Sequence, residues 1–262
     1  MNDPGSAYAG HAGAWAAGPA RLYDALAEAV VEAMPEPVVQ RHVVDIGAGT
    51  GSVARALLRR GASVTAVDTA PDMVDRMRNE AIDAVEADML ALPFEDATFD
   101  GAALSFVVSH TAEPARALSE ARRVVRPDGV VCAAVFAAAG RHASKDAVDA
   151  VATKRGYIPP AWYVRFKQEL EPLTNTAGNL RDVAVEAGLT DIDVVSLDVD
   201  SGIVSPQDIV ASRLGMAHLA PFVSSLAGAE RGALIIEAVR ALGPAPEPLR
   251  PRVLVLRSRV GP

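Results

Sequence analysis

The stretch VVDIGAGTG at positions 43–51 decides the fold. An apolar run ends in Asp45 and Ile46, three alternating glycines follow, and helix-forming residues begin at Ser52. Glycines at a strand-to-helix turn let the backbone approach a ligand closely, and the helix start presents free N–H groups with a partial positive charge. A dinucleotide fingerprint would need a glycine at position 52, and a phosphate loop would need Gly-Lys-Ser or Gly-Lys-Thr. The turn fits neither of these motifs.

Strands and helices alternate outward from this turn. Short apolar runs typical of buried parallel strands occur at 42–46, 63–67, 84–87, 101–108 and 129–136. Helical spacing separates them at 52–60, 71–80 and 115–125. Repeated strand–helix–strand units predict a parallel sheet that is covered by helices on both faces.

The flanking segments complete one domain. An amphipathic helix at 21–34 precedes the core, and the later elements are helices at 179–187, 206–219 and 229–242 and strands at 192–199 and 252–259. We expect an α/β fold with a doubly wound, mostly parallel seven-stranded sheet of Rossmann-like type and helical insertions after strands five and six. Its parts are an N-terminal helical cover or lid at 1–40, a ligand-binding core at 41–137, and a remainder at 138–262, with substrate-side insertions at about 138–177 and 203–247.

Composition excludes several classes of partner. The chain has 25 Lys+Arg against 33 Asp+Glu, a formal net charge of −8, whereas nucleic acid or an anionic membrane needs a basic face. The single cysteine, Cys132, permits neither an internal disulfide nor a cysteine metal cluster, and the histidines lack metal-ligand spacing. Neither a secretion signal nor a long apolar span is evident. We therefore expect a cytoplasmic monomer or homodimer that binds no metal, nucleic acid or membrane.

Acidic residues follow three successive predicted strands. Asp45 can pair with an ammonium group, and Asp68 can accept hydrogen bonds from both hydroxyls of a ribose. Asp88 can accept from an adenine amino group, beside soft apolar contacts from Met73 and Met89. Acids also cap helices and stabilise turns, but three of them at the carboxyl ends of neighbouring strands point to one ligand crevice.

These motifs resemble those of the class I S-adenosylmethionine-dependent methyltransferases, in the small-molecule branch related to the ubiquinone and menaquinone methylases. The similarity covers about 40–137 and rests on VVDIGAGTGSVA at 43–54, VTAVDTAPDMVDRMR at 64–78, EADMLALPFEDATFD at 86–100 and ALSEARRVVRPDGVVCAAVF at 117–136. It implies S-adenosylmethionine as cofactor, S-adenosylhomocysteine as product, and Ser105 beside the methyl sulfonium. The candidate cofactor-binding residues are Tyr8, Tyr23, Asp45, Gly47, Ala48, Gly49, Gly51, Asp68, Thr69, Met73, Asp88, Met89 and Ser105.

Two histidines are candidates for a general base. His110 follows the fourth predicted strand, and an unperturbed imidazole has a pKa close to working pH. Relatives with different acceptors carry a histidine at the matching position, so the resemblance also favours a loop-orienting role. His11 lies in an aromatic N-terminal segment that either anchors the first helix or forms a lid over the cofactor, with Tyr8 and Tyr23 as its contacts.

Aromatic residues gather again at 157–166, just after the core. They fit either a core helix or the wall of a substrate pocket, because ligand sites combine apolar walls with a few polar groups. The candidate substrate-binding residues are Tyr157, Trp162, Tyr163 and Phe166, with Arg213 and Met216 from a later helix.

The sequence as a whole predicts a methyltransferase that acts on a small, largely apolar acceptor of quinone or secondary-metabolite type. The methylated atom stays open among oxygen, nitrogen and carbon. One alternative is an enzyme that binds S-adenosylmethionine but catalyses another reaction, such as a cyclisation. Another is a regulatory protein that binds the cofactor without catalysis.

Overall fold

The computed structural model describes residues 12–138 and 142–261, which form an α/β domain. Its strands are β1 His42–Ile46, β2 Ser63–Asp68, β3 Asp83–Glu86, β4 Phe99–Ser105, β5 Val125–Phe136, β6 Thr190–Asp198 and β7 Arg252–Arg259. They form a seven-stranded sheet in the order β3-β2-β1-β4-β5-β7-β6. Neighbours among β1 to β5 pair in parallel, whereas β7 runs antiparallel to both β5 and β6. The predicted fold class is confirmed.

Helices cover the sheet and fill the two predicted insertions. They are α1 Ala12–Ala17, α2 Pro19–Glu32, α3 Ser52–Arg59, α4 Pro71–Asn79, α5 Pro114–Val124, α6 Ala143–Lys154, α7 Ala161–Arg165, α8 Ala177–Glu186, α9 Pro206–Leu214, α10 Ala220–Ser225 and α11 Gly228–Leu242. Short 3-10 turns lie at Val108–His110 and Glu171–Leu173, and a π-helical turn at Phe166–Leu170. Among the described residues, none of these helices has the length and apolar character needed to cross a membrane.

The side chains of β1 show why the sheet is covered twice. Val44 and Ile46 belong to the apolar cluster that contains α5 and α8, while Val43 belongs to a second cluster with α3 and α4. Successive residues of a strand point to opposite faces, so a continuous apolar run needs a partner layer on each side. Asp45 lies two residues after Val43 and therefore points to the same face of the sheet, but it is a buried polar residue. A buried carboxylate near the end of a strand needs an explanation.

Two predicted elements end several residues earlier than expected, and one helix was not predicted. The strand predicted at 101–108 ends at Ser105, because Phe106 has a φ of 61° and a 3-10 turn follows. The helix predicted at 206–219 ends at Leu214 and is followed by the separate helix α10. Sequence reasoning also missed α6, whose buried side chains include Val148, Val151 and Ala152.

The helical insertions have an apolar cluster of their own. Val148 of α6, Leu214 at the end of α9 and Leu234 of α11 belong to it and are nearly inaccessible to solvent. Because α6 follows β5 while α9 and α11 follow β6, this cluster joins chain segments that are distant in sequence. The two insertions therefore pack as one layer beside the carboxyl ends of the central strands.

We expect Leu104→Ala to destabilise the fold by about 2–5 kcal/mol, because it removes a fully buried side chain from the central strand β4. The matched control is Leu58→Ala on α3, where the side chain is 41% exposed and the loss is expected to stay within about 1 kcal/mol. Urea unfolding followed by circular dichroism measures both. Equal losses would contradict the placement of Leu104 in the core.

Candidate active site

A cavity of about 450 Å³ opens at the carboxyl ends of β1, β2 and β4. Open α/β sheets bind ligands at this edge, where the strand order reverses direction. The cavity brings together most of the residues selected from the sequence. Those lining it are Tyr23, Asp45, Gly47, Ala48, Gly49, Asp68, Thr69, Met73, Asp88, Met89, Ser105 and His110.

Three polar atoms on the cavity wall are buried without a hydrogen-bond partner. They are Oδ2 of Asp45, Oγ1 of Thr50 and Oγ of Ser105, none of which has a partner among the described residues. Buried polar atoms in folded proteins are nearly always paired, so unpaired ones deserve an explanation. Their convergence on one cavity indicates a polar ligand that supplies the missing hydrogen bonds.

Burial raises the pKa of Asp45 to about 7, and the nearby charge of Asp68 acts in the same direction. A hydrogen bond from the Ala54 backbone N–H and the charge of Arg55 oppose this shift. Removing a carboxylate from water disfavours its charged form, so Asp45 gains most from a cationic partner. This environment fits the ammonium partner proposed for Asp45 from the sequence.

Asp68 ties the first two strand-to-helix turns together. Its Oδ2 accepts a hydrogen bond from the backbone N–H of Gly49 at 2.7 Å, and its Oδ1 accepts one from Ala70 at 2.9 Å. Burial raises the pKa of Asp68, although these two bonds lower it. Each carboxylate oxygen has a second lone pair, so Asp68 can hold the glycine turn and still accept from a ligand.

The three glycines of the turn have different reasons for lacking a side chain. A Cβ on Gly47 would lie 2.4 Å from a Val107 methyl carbon, so the backbone needs the space. A Cβ on Gly49 would meet nothing within 4 Å and would extend into open space beside the cavity. Gly51 does not line the cavity; it caps α3 with a φ of 86°, a left-handed conformation that favours glycine. This left-handed cap is a structural reason for the glycine, and the cofactor contact expected from Gly51 stays a prediction.

The side chains after β2 and β3 form the other end of the cavity. Oδ1 of Asp88 accepts a hydrogen bond from the Leu90 backbone at 2.9 Å, and its carboxylate lies at the protein surface. Met73 is buried and Met89 is partly buried beside it. Thr69 follows Asp68 and is exposed. A polar group at the rim and soft apolar side chains below it suit a flat heteroaromatic ring.

The N-terminal segment contributes to the wall. Tyr8 and His11 lie outside the described residues. Trp15 is buried and contacts Tyr23 with the ring centroids 4.6 Å apart, and both residues line the cavity. Tyr23 also contacts Phe106 at 5.5 Å, and burial raises the pKa of its hydroxyl. The segment thus anchors α2 and closes one side of the cavity at the same time.

A second cavity of about 390 Å³ adjoins the first. Both cavities are lined by Tyr23, Phe106 and His110, which therefore mark their junction. Five of the six candidate substrate residues line the second cavity, namely Trp162, Tyr163, Phe166, Arg213 and Met216. Tyr157 lines neither cavity, because it is buried in the helical layer, where its ring lies 5.5 Å from Phe222. The structure shows a packing role for Tyr157, and its expected substrate contact stays a prediction.

His110 lies at the junction in an apolar environment. Its ring stacks on Phe166 with centroids 4.5 Å apart and an interplanar angle of 11°. Burial lowers the pKa of His110 to about 4, because a buried imidazolium loses its hydration. At neutral pH the ring is uncharged. Stacking fixes its orientation toward both cavities.

Several lining residues escaped the sequence reasoning. Trp15, Thr50, Phe106, Lys145 and His218 line one or both cavities. Thr50 stands inside the glycine turn and could have been selected from its position. Phe106 could not, because nothing in the sequence indicates its positive φ. Such backbone outliers in bulky residues concentrate at functional sites.

The sheet order and the antiparallel β7 form the Rossmann-like fold expected from the sequence, and the acidic residues at the ends of the first three strands line one cavity. The family described as "Methyltransferase domain" matches residues 44–133. Demethylmenaquinone methyltransferase from Clavibacter sepedonicus is 36% identical over 103 residues, which cover 37% of this chain and 42% of that protein. These matches confirm the resemblance to the class I methyltransferases and, within them, to the quinone methylases. The chain spans less than half the length of the curated relatives it matches.

Solved structures agree on the architecture. Phosphoethanolamine N-methyltransferase 2 from Haemonchus contortus, crystallised with S-adenosyl-L-methionine, aligns with a TM-score of 0.57 and 16% identity over 90% of this chain and 52% of that chain. The cyclase SpnF aligns with a TM-score of 0.56 and 20% identity over 91% of this chain and 81% of that chain. At these identities the comparison establishes the fold alone.

The pKa of Asp45 leads to a pH-dependent prediction. A ligand ammonium group binds the ionised carboxylate, so affinity for S-adenosylhomocysteine should fall about tenfold as pH falls from about 8 to about 6. Asp45→Asn should bind more weakly and lose this dependence, while Asp75→Asn on the exposed side of α4 should behave like the wild type. Titration calorimetry measures all three proteins. A dependence that persists in Asp45→Asn would contradict this role of Asp45.

Gly49 and Gly156 offer a matched pair for the ligand path. Both have a positive φ, and a Cβ on either would meet nothing within 4 Å. Each valine substitution should therefore cost a similar backbone strain, roughly 1–2 kcal/mol. Gly49→Val alone should weaken S-adenosylhomocysteine binding, by more than about tenfold, because Gly156 lines neither cavity. Titration calorimetry measures the affinity of both folded variants for S-adenosylhomocysteine. Equal affinities would show that the ligand does not bind beside Gly49.

Proposed function

We propose that this protein transfers the methyl group of S-adenosylmethionine to a small, largely apolar acceptor. The observation that supports the proposal best is the junction of two cavities at Tyr23, Phe106 and His110. A transfer between two bound molecules needs two adjoining sites with the reacting atoms at their border. The first cavity has acidic and unpaired polar atoms, and the second has aromatic walls.

The residues of the first cavity fit S-adenosylmethionine. Asp45 would hold the ammonium group beside the turn, Asp68 the ribose hydroxyls, and Asp88 with Met73 and Met89 the adenine ring. The start of α3 faces the same cavity through Ser52 and Val53, and its partial positive charge suits the carboxylate of the methionine part. When bound, S-adenosylmethionine supplies a methyl group made electrophilic by its sulfonium charge.

The chain's own contribution is alignment and exclusion of water. Methyl transfer is an in-line displacement, and holding both reactants in line is worth on the order of 7–11 kcal/mol. Tyr23, Phe106 and Phe136 contact one another at the junction, with ring centroids 4.7–6.2 Å apart. This aromatic wall keeps the border between the cavities dry and limits how an acceptor can lie.

His110 acts in this proposal as a positioning residue. A buried imidazole with a pKa of about 4 is a weak base, because burial disfavours the cation that proton transfer would create. Its stacking on Phe166 instead fixes the shape of the junction. The arrangement therefore favours an acceptor atom that arrives already nucleophilic, such as a carboxylate, an ionised phenol or a stabilised carbanion. A quinone-type or secondary-metabolite acceptor agrees with the likeness to demethylmenaquinone methyltransferase.

The direct test incubates the protein with S-adenosylmethionine and a panel of small aromatic acceptors, and mass spectrometry follows both products. We expect S-adenosylhomocysteine and an acceptor heavier by one methyl group, in equal amounts. A changed acceptor without S-adenosylhomocysteine would instead establish a reaction such as cyclisation. Tight cofactor binding with no product across the panel would favour a regulatory role. Either of these two results would overturn the proposal.

His110 variants separate positioning from base catalysis. His110→Phe keeps a flat ring against Phe166 and should retain more than about a tenth of the wild-type kcat, whereas a lost base costs roughly 10²- to 10⁴-fold. His110→Ala removes the stacking and should be slower than His110→Phe. The wild-type kcat profile should show no acidic limb near pH 6.5, because the pKa of His110 lies near 4. Equal losses of 10²-fold or more in both variants would establish His110 as a base.

A further inference from the structure

The second cavity has an unusual share of the chain's lysines. The sequence contains three lysines, Lys145, Lys154 and Lys167, and two of them line this cavity. Arg213, Arg250 and Arg252 line it as well. The chain has a formal net charge of −8, so a cavity with this many cationic side chains is unusual for this protein.

Most of these cations already have a carboxylate partner. Lys167 pairs with Glu171, and Arg213 makes two hydrogen bonds to Asp149 at 2.7 and 2.6 Å. Arg252 likewise makes two hydrogen bonds to Asp198, and Arg250 pairs with Asp200 at 3.2 Å. Each of these pairs is internally neutral, so none of them leaves a free charge for a ligand.

Lys145 is the exception. Among residues 12–138 and 142–261, no carboxylate lies within ion-pair distance of its ammonium group, which instead lies 5.6 Å from the centroid of the Phe136 ring. Lys145 is partly buried in the first turn of α6 and faces the cavity. Burial lowers the pKa of Lys145 to about 8, so its amine is still mostly protonated at neutral pH.

The carboxylates of the same cavity, Glu171 and Asp198, are paired with Lys167 and Arg252. His218, which lines the same cavity, stacks on Tyr163 at 3.8 Å, and burial lowers the pKa of His218 to about 2, so it is neutral. Phe136, Trp162 and Phe166 supply apolar surface. A partly desolvated ammonium with aromatic neighbours and no carboxylate partner is a favourable place for an anionic ligand group.

We propose that the acceptor carries a carboxylate on an aromatic or otherwise apolar body, and that Lys145 binds this carboxylate. The inference rests on the proposed function, because it assigns the second cavity to the acceptor. Phe136 contacts Phe106 of the junction at 4.7 Å and also lies beside Lys145, so an acceptor held by Lys145 extends along the aromatic wall toward the cofactor cavity. Lys145 thereby selects the acceptor by charge and orients it.

The test compares two probes of nearly equal shape, naphthoate and neutral naphthamide. Calorimetry measures their binding to the protein saturated with S-adenosylhomocysteine. We expect Lys145→Met to weaken naphthoate binding about 10- to 100-fold and to leave naphthamide binding unchanged. Lys145→Arg should restore most of the preference. The matched control is Lys154→Met, because Lys154 lies on the same helix but is exposed and lines neither cavity.

A pH series on the wild type covers the case in which Lys145→Met fails to fold. The preference for naphthoate should fall as pH rises through about 8, where Lys145 loses its proton. The positive charges of Arg213 and Lys167 lower the pKa of Lys145, and the negative charges of Asp149 and Glu171 raise it. The other charged residues that line this cavity include Arg250, Arg252 and Asp198. Isolated arginine and carboxylic acid side chains titrate far from pH 8, which separates the expected effect of Lys145 from theirs.

Two results would overturn the inference: equal affinity of the wild type for both probes, or equal naphthoate affinity in Lys145→Met and Lys154→Met. These measurements involve no turnover, so they are independent of the methyl-transfer assay. A normal naphthoate preference without any methyl transfer would overturn the proposed function alone. Methyl transfer to neutral acceptors without a charge preference would overturn the inference alone.

Discussion

The hydrogen bond from the Gly49 backbone to the Asp68 carboxylate connects the two loops on which the site depends. Asp68 also accepts from Ala70, so one carboxylate joins the end of β1 to the start of α4. This bond fixes the conformation of the glycine turn beside the cavity. The turn then determines where α3 begins. The carboxylate is costly to bury, since burial raises its pKa, and the backbone donors offset part of that cost.

The two cavities differ in the sign of their charge. The first is lined by Asp45, Asp68 and Asp88, which suit a ligand that carries ammonium and sulfonium groups. The second is lined by arginines that are paired with carboxylates and by Lys145, which has no carboxylate within ion-pair distance among the described residues. In the proposed function, an electrostatic division of this kind would keep each ligand on its own side of the junction, because a like charge in the wrong cavity is repelled. The aromatic border between them adds no charge and excludes water.

Local sequence patterns were sufficient to predict the core, because each of these patterns is compatible with one kind of structure. The strand β1 was predicted at 42–46 and is observed at His42–Ile46, since its continuous apolar run can only be buried on both faces. Pro71, Pro114 and Pro206 lie at helix starts, where the missing N–H costs nothing. The acids at the carboxyl ends of β1, β2 and β3 line one cavity, because parallel strands end at one edge of the sheet.

The sequence by itself determined the sheet, the glycine turn and most of the acidic and apolar residues that line the first cavity, because these depend on neighbours along the chain. Only the tertiary structure decided that Gly51 and Tyr157 are not among the lining residues, whereas Phe106, Lys145 and His218 are. It also decided the low pKa of His110, which depends on burial against Phe166 from a distant insertion. Desolvation is a property of the packed surroundings, and no local pattern in a sequence specifies which distant segments provide them.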